Sequence, residues 1–422
     1  MDVLANNDLG DWTQPAAGLY PHQWLWDSCF IAIGLAHVNP ERAARELRRL
    51  ATGQWANGMM PHMLYSTRLP ASMESLLWGR DATSPAGVHT SGITQPPMLA
   101  IATEKVARAL GNAARTKFIE QMLPAITHYH EWIYSHRDPH DTGLAVCLHS
   151  WESGLDDTPY WTEVMAAAPI LPRAHWLREY RFVNPSQRAS PSDIQHMLSL
   201  VHMLRQYHYD SPQVIEHSPV AVQDIVFNCV LAAANESLER LADLVDVEIP
   251  DLLYRRFAPT RRALERLWDQ EAGQYFSRNA KSGELIRSPT VATFMPLFAG
   301  TAAPSRAEEL RQLLVSEGGY NVPFPLPSVP TTSPSFEQQR YWRGPAWVNM
   351  NWFVVQGLLR YGFTEEAEWL RSRTIGLTDL SGFREYYNPL TGDGLGATNF
   401  SWTAALTIDL LASSVGLQSI ED

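Results

Sequence analysis

The chain of 422 residues is poor in cysteine: it has three, Cys29, Cys147 and Cys229, an odd set without CxxC spacing. That excludes a disulfide framework or a zinc knuckle and fits a reducing compartment. The opening segment MDVLANNDLGDWTQPAAGLY has no basic stretch and no apolar run of the kind a secretory signal needs. No later stretch is long and apolar enough to span a bilayer, so a cytoplasmic location is expected. Cations are also in deficit, with 33 Lys plus Arg against 45 Asp plus Glu and a formal net charge of -12. Such a surface repels nucleic-acid phosphates and anionic membranes, and neither is expected as a partner. No repeat of fixed period is visible, which argues against a regular solenoid.

What is present is helical patterning. Apolar residues recur at three- and four-residue spacing through FIAIGLAHV, ERAARELRRLA, PPMLAIATEKVARAL, FIEQMLPAITHYHEWIYSH, VQDIVFNCVLAAANESLERLADLV and APTRRALERLWDQ. The same spacing continues in RAEELRQLLVS, GPAWVNMNWFVVQGLLRYG, TEEAEWLRSRTIGL and SWTAALTIDLLASSV, with further helices over 165–183 and 190–208, about twelve in all. Some, such as 219–245 and 345–360, are apolar nearly all round, whereas 305–316 and 364–376 carry a charged face. A helix touching neighbours on every side loses its polar face, and one at the periphery keeps it, so the alternation predicts an inner and an outer ring. The chain is expected to be one all-α domain over 1–422. Connections over 66–92, 137–160, 277–290, 317–344 and 380–399 are too long for simple helix links, and 66–92 has the length of a lid.

Those connections hold the unusual residues. His149-Ser150-Trp151-Glu152-Ser153-Gly154-Leu155-Asp156-Asp157-Thr158-Pro159-Tyr160-Trp161 packs three carboxylates between tryptophans. Acidic loops are commonly only solvated, but indole rings beside a carboxyl exclude water and favour its protonated form. A second carboxylate, Glu385, opens EYYNPLTGDGLGATNFSW, where a turn and then a helix are expected to follow. This stretch lacks the alternating acidic ligands of a calcium loop, and no metal or organic cofactor is expected. Two carboxylates brought from distant loops to one aromatic pocket are what glycosidic bond hydrolysis requires. In Tyr20-Pro21-His22-Gln23-Trp24-Leu25-Trp26-Asp27, Asp27 reads equally as a helix cap or as a group gripping sugar hydroxyls. Tyr341-Trp342-Arg343-Gly344-Pro345-Ala346-Trp347 sits at another helix entrance.

Taken in order, WLWDS, WESGLDD, YWRGPAW and EYYNPLTGDGLGATNFSWTAA resemble glycoside hydrolase family 63 from about Tyr20 to about Leu410. The resemblance implies an (α/α)6 barrel and an inverting mechanism on a small α-glycoside, with glucosylglycerate and mannosylglycerate as the nearest substrate types and a small-molecule sugar as partner, in a possible homo-oligomer. It implies Asp156 as general acid, supported by Glu152, and Glu385 as general base. By position, Tyr20, Trp24, Trp26, Asp27, Trp151, Tyr341, Trp342 and Trp347 would bind the sugar, with Tyr65 and Gln95 nearer the aglycone. The acid loop departs from the pattern GxDNSPRW of the glycerate-specific relatives and reads GLDDTPYW. Asp157 adds a negative charge that is unfavourable beside a carboxylate-bearing aglycone, and no arginine is assigned to grip one. Disaccharides of the kojibiose, nigerose or trehalose type are the alternative substrates. A sugar epimerase using His22, His62, His89 or His149, and a non-catalytic sugar-binding protein, are alternatives of other classes.

Overall fold

All twelve residues of the helix Leu25–Ala36 are buried, including Asp27 and Ser28. A helix hydrophobic on every side must sit at the centre of other helices. The computed structural model describes residues 1–68, 77–170 and 183–413. In chain order its helices are α1 Asp2–Asn7, α2 Leu25–Ala36, α3 Pro40–Ala51, α4 Leu99–Ala109, α5 Asn112–Trp132, α6 Ser150–Ser153, α7 Pro159–Met165, α8 Pro191–Gln206, α9 Ser211–His217, α10 Ile225–Asp243, α11 Asp251–Glu265, α12 Met295–Ala299, α13 Pro304–Val315, α14 Val348–Arg360, α15 Thr364–Ser381 and α16 Ser401–Ala412.

The helices α2, α4, α10, α12, α14 and α16 close a ring: α2 packs on α4 and α16, α10 on α4 and α12, and α14 on α12 and α16. The approach of α2 to α16 is close enough that a Cβ on Gly34 would lie 2.3 Å from the Ala405 carbonyl oxygen. Around this ring, α3, α5, α11 and α15 pack back on the inner helix that each follows, and α1 packs on α16. The outer α3 buries Ala43, Ala44, Leu47 and Leu50, together with Arg42 paired to Glu46, and leaves Glu41 and Arg45 exposed, the periphery pattern expected from the sequence. This is the all-α toroid of paired helices. Because an outer helix returns the chain between successive inner helices, the inner helices all start at one end, where their positive dipole ends converge.

Short two-stranded pieces decorate that end. Gln23–Trp24 (β1) pairs antiparallel with Met63–Leu64 (β2), and Arg384–Tyr387 (β3) with Gly394–Thr398 (β4). Three expected boundaries shift as a result. The helix read over 345–360 starts at Val348, because Ala346 is extended and bridges Tyr387. The helix read over 219–245 spans Ile225–Asp243, because Val222–Gln223 pairs with Arg278–Asn279 and Asp224 caps the helix by accepting the Phe227 N–H at 3.0 Å. Glu385 lies on a hairpin strand, with the helix following the second strand. Most of the helix read over 165–183, and residues 69–76 of the long connection 66–92, lie outside the described residues. Among the described residues no helix is long and apolar enough to cross a membrane.

Candidate active site

The base candidate is held at both oxygens. Glu385 is 2% exposed on β3. Its Oε1 accepts the Tyr20 hydroxyl at 2.7 Å and Nη1 of Arg188 at 3.0 Å, and its Oε2 accepts the Ala397 N–H across the hairpin at 2.9 Å. Gly396, at φ +65°, makes this possible, since a Cβ there would sit 2.5 Å from Oε2. Arg188 also stacks its guanidinium on the rings of Tyr20 and Tyr341, 5.5 and 4.6 Å from the centroids.

Asp156 is half-buried on the turn that leaves α6. That turn is anchored by Glu152, which is wholly buried and accepts Nη1 and Nη2 of Arg137 at 2.7 and 2.6 Å and the Leu148 N–H at 2.7 Å. With both oxygens bonded inside the protein, Glu152 anchors the acid loop. The acid loop meets the base side through Trp26: Gly154 lies so close to its ring that a Cβ would approach to 2.2 Å. Next along α2, Asp27 is close enough to Glu385 to feel its charge. Burial first, and then that charge, push the Asp27 carboxyl well above the usual carboxylate range.

The aromatic residues sort into two depths. Tyr20, Trp24, Trp151 and Tyr341 are half-buried, whereas Trp26, Tyr65, Trp342 and Trp347 lie beneath them. Tyr20 meets Trp24 edge-on at 5.4 Å, and Trp24 leads through His22 to Tyr65. Trp342 stacks flat on Trp347 at 3.8 Å, and Trp347 in turn on Tyr386 at 4.6 Å, a slab that backs Tyr341. Gln95 accepts the Trp26 N–H at 3.2 Å, fixing the start of α2. Trp151 lies against His62 and His149, with ring centroids at 6.0 and 4.5 Å.

His62 and His149 are not poised to exchange protons. Burial, and then mutual repulsion with His149, push His62 down to about 3. His149 falls to about 4, mainly through burial. His149 accepts the Trp151 N–H at Nδ1 and donates from Nε2 to the Met197 carbonyl at 3.0 Å, which fixes a neutral tautomer.

Two of the three departures in the acid loop, Asp157 and Tyr160, are absorbed by the scaffold. Asp157 is fully buried and takes a fork from Arg340, Nε to Oδ2 and Nη2 to Oδ1, both at 3.0 Å, with Arg343 at 3.6 Å. Arg340 also reaches Asp193 on α8 at 2.9 Å. Burial outweighs these cations and carries the Asp157 carboxyl up to about 6. Tyr160 is buried and donates to Asp224, the cap of α10, at 2.5 Å. The charge expected to trouble a carboxylate aglycone is therefore neutralised inside the protein.

Arg188, Gln187 and Arg137 escaped the sequence reading. Gln187 accepts the Tyr341 N–H at 3.2 Å and the Tyr386 hydroxyl at 2.7 Å through its carbonyl, and the Gly396 N–H at 3.2 Å through Oε1. It thus ties the segment around Arg188 to the base hairpin. These residues lie in NPSQRASPSD and IYSHRDPHD, stretches without aromatic clustering or motif spacing. No local signal marked them.

A ring of inner helices with two loop carboxylates and a sheath of aromatic rings at one end defines a glycoside hydrolase of the toroid class. Comparison with known proteins agrees. Residues 20–403 match the model of the "Mannosylglycerate hydrolase MGH1-like glycoside hydrolase domain". A mannosylglycerate hydrolase of Thermus thermophilus is 42% identical over 97% of this chain and 98% of its own. A glucosylglycerate hydrolase of Mycolicibacterium hassiacum is 32% identical over 97% and 96%. The crystal structure of the family 63 mannosylglycerate hydrolase from another strain of Thermus thermophilus, with Tris and D-glycerate, superposes with a TM-score of 0.90 at 40% identity, covering 97% of this chain and 98% of that one. The chain belongs to this MGH1-like family within glycoside hydrolase family 63, and it is an inverting hydrolase of a small α-glycoside.

Proposed function

We propose that the chain hydrolyses an α-hexosyl glycerate, mannosylglycerate first, with Asp156 as general acid and Glu385 as general base. The observation that carries the reading is the fixed Glu385 carboxylate, whose charge reaches Asp27 next to Trp26 on α2, the ring against which the Asp156 loop packs. In the reaction Asp156 gives its proton to the glycosidic oxygen as the bond from C1 to that oxygen breaks. Glu385 takes a proton from a water whose oxygen bonds to C1 from the opposite face. The half-buried rings Tyr20, Trp24, Trp151 and Tyr341 offer apolar faces to the sugar, with Asp27 gripping its hydroxyls. The whole chain acts as one catalytic domain in the cytoplasm. Likeness to the 42% identical mannosylglycerate hydrolase supports the mannosyl choice, and the internal neutralisation of Asp157 supports a carboxylate-bearing aglycone.

The test is a panel of mannosylglycerate, glucosylglycerate, kojibiose, nigerose and trehalose, assayed with the native protein and with Asp156→Asn and Glu385→Ala. Mannosylglycerate should give the highest kcat/KM, and each substitution should lower kcat by about 10²–10⁴-fold or more with folding retained. Azide added to Glu385→Ala should yield the β-glycosyl azide. Preference for a neutral disaccharide would overturn the substrate, and near-normal turnover of either variant would overturn that role.

A further inference from the structure

We infer that Arg340 is a positioning residue for the general acid: its guanidinium grips both carboxylate oxygens of Asp157, and by holding that residue it aims the adjoining Asp156 at the glycosidic oxygen. This role rests on the reading of Asp156 as general acid and names what fixes that acid's direction.

Asp156 and Asp157 share one peptide bond, yet Asp156 is half-buried and Asp157 wholly buried. A side chain clamped at its far end restrains the backbone that carries it, so the clamp on Asp157 limits the directions open to Asp156. Arg340 spends its N–H groups on carboxylates. Nε donates to Oδ2 and Nη2 to Oδ1 of Asp157, both at 3.0 Å, and Nη2 donates also to Asp193, in the capping box that starts α8, at 2.9 Å. Nη1 donates to Glu337 at 3.3 Å. The arginine is itself rigidly seated: its backbone N–H donates to the Glu337 carbonyl at 3.1 Å, and its carbonyl accepts the Arg343 N–H at 2.7 Å. The next residue, Tyr341, is held at φ +30°, a left-handed backbone that a tyrosine adopts only where its surroundings impose it. Arg343 does not duplicate the fork. Its Nε stays 3.6 Å from Asp157 without a hydrogen-bond partner, and its Nη2 donates to Thr162 on α7 at 2.6 Å. The clamp also gives the departure from GxDNSPRW a purpose, since a carboxylate at 157 offers the fork two oxygens and an amide only one. Arg340 therefore acts through Asp157 and not on the sugar, and misaiming an acid by a fraction of an ångström costs turnover rather than binding.

The experiment measures kcat and KM of Arg340→Ala, Arg340→Lys, Asp157→Asn and Asp156→Asn in the full-length protein on two substrates, with thermal melting to confirm the fold. One is mannosylglycerate, or whichever α-glycoside the panel shows to be turned over; the other is the α-fluoride of the same hexose. With the fluoride, water still bonds to C1 and gives its proton to Glu385, but the C1–F bond releases fluoride ion, which needs no proton from Asp156. Lost aim at the acid therefore shows on the glycoside and not on the fluoride. Arg340→Ala should lower kcat on the glycoside by about 10–10²-fold, part of a general-acid contribution of about 10²–10⁴-fold, with KM and fluoride turnover each within about threefold of native. Arg340→Lys, which keeps the charge without the fork, and Asp157→Asn, which keeps one acceptor, should fall between Ala and native on the glycoside. Adding Asp157→Asn to Arg340→Ala should cost less than about threefold more, because both break one contact. The role is overturned if folded Arg340→Ala keeps kcat on the glycoside within about threefold, if its loss lies in KM, if fluoride turnover falls as far, or if the two substitutions are additive. Should Arg340→Ala not fold, Arg340→Lys decides by the same comparison: equal losses on both substrates, or none on either, contradict the role. If Asp156→Asn loses as much on the fluoride as on the glycoside, the acid reading itself is wrong, a result separate from any behaviour of Arg340.

Discussion

At the scale of single residues, Gly396 carries as much of the site as the acids do. Its left-handed backbone and missing side chain let the hairpin fold over Oε2 of Glu385. Gly396→Ala would put a methyl group 2.5 Å from that oxygen and strain the backbone as well. We expect a kcat loss of about 10²-fold, comparable to misplacing a catalytic group by about 1 Å, with a melting temperature lowered by a few degrees. Steady-state kinetics with a melting curve checks this; native kcat in Gly396→Ala would show that the carboxylate is not so confined. Asp156 and Glu385 stand out as candidates in the sequence because acids among Trp, Gly and Pro make poor packing material. Arg188 was not legible. Its neighbours are serine, glutamine and alanine, and its pairing with Glu385 arises only when the fold brings the two together across 197 positions of the chain.

At the scale of elements, the hairpin Arg384–Thr398 and the acid turn 154–158 decide where the chemistry falls, and both are fixed by partners from elsewhere. The turn is fastened by Arg137 to Glu152 below and by Arg340 and Arg343 to Asp157 above. Deleting either partner of the buried Arg137 pair should cost about 3–5 kcal/mol, because the other charge is left stranded. Asp157 has a pH signature of its own. Its folded carboxyl titrates at about 6, above the ordinary 3.8, so the stability it contributes is complete below about 3.8 and is lost as pH rises through about 6. Asp157→Asn removes this titration. Denaturant melts of native and variant at pH 7 and pH 4 should therefore show the difference moving in favour of the native protein at the lower pH, by up to roughly 3 kcal/mol. A pH-independent difference would contradict it. The hairpin was missed because YNPLTGDG reads as a turn before a helix, and two strands of four and five residues carry too little alternation to declare themselves.

At the scale of the whole molecule, the ring is the most legible feature, since residues that contact neighbours on all sides must be apolar on all sides, and the inner helices state this in their composition. Its closure was not legible locally: the contact of α2 with α16 joins the two ends of the chain, and Gly34 against Ala405 reads in sequence only as a glycine in a helix. The ring gathers the starts of six inner helices at one end and delivers loops from every part of the chain to a common mouth. As the proposed acid and base, Asp156 and Glu385 reach that mouth from distant parts of the chain, and inversion requires room between them for a water. The direct measurement is proton NMR of the sugar as it is released, taken before mutarotation. An α-mannoside, or whichever α-glycoside is turned over, should give the β-hexose first, with the α-anomer growing in only as mutarotation proceeds. First appearance of the α-hexose would contradict the account.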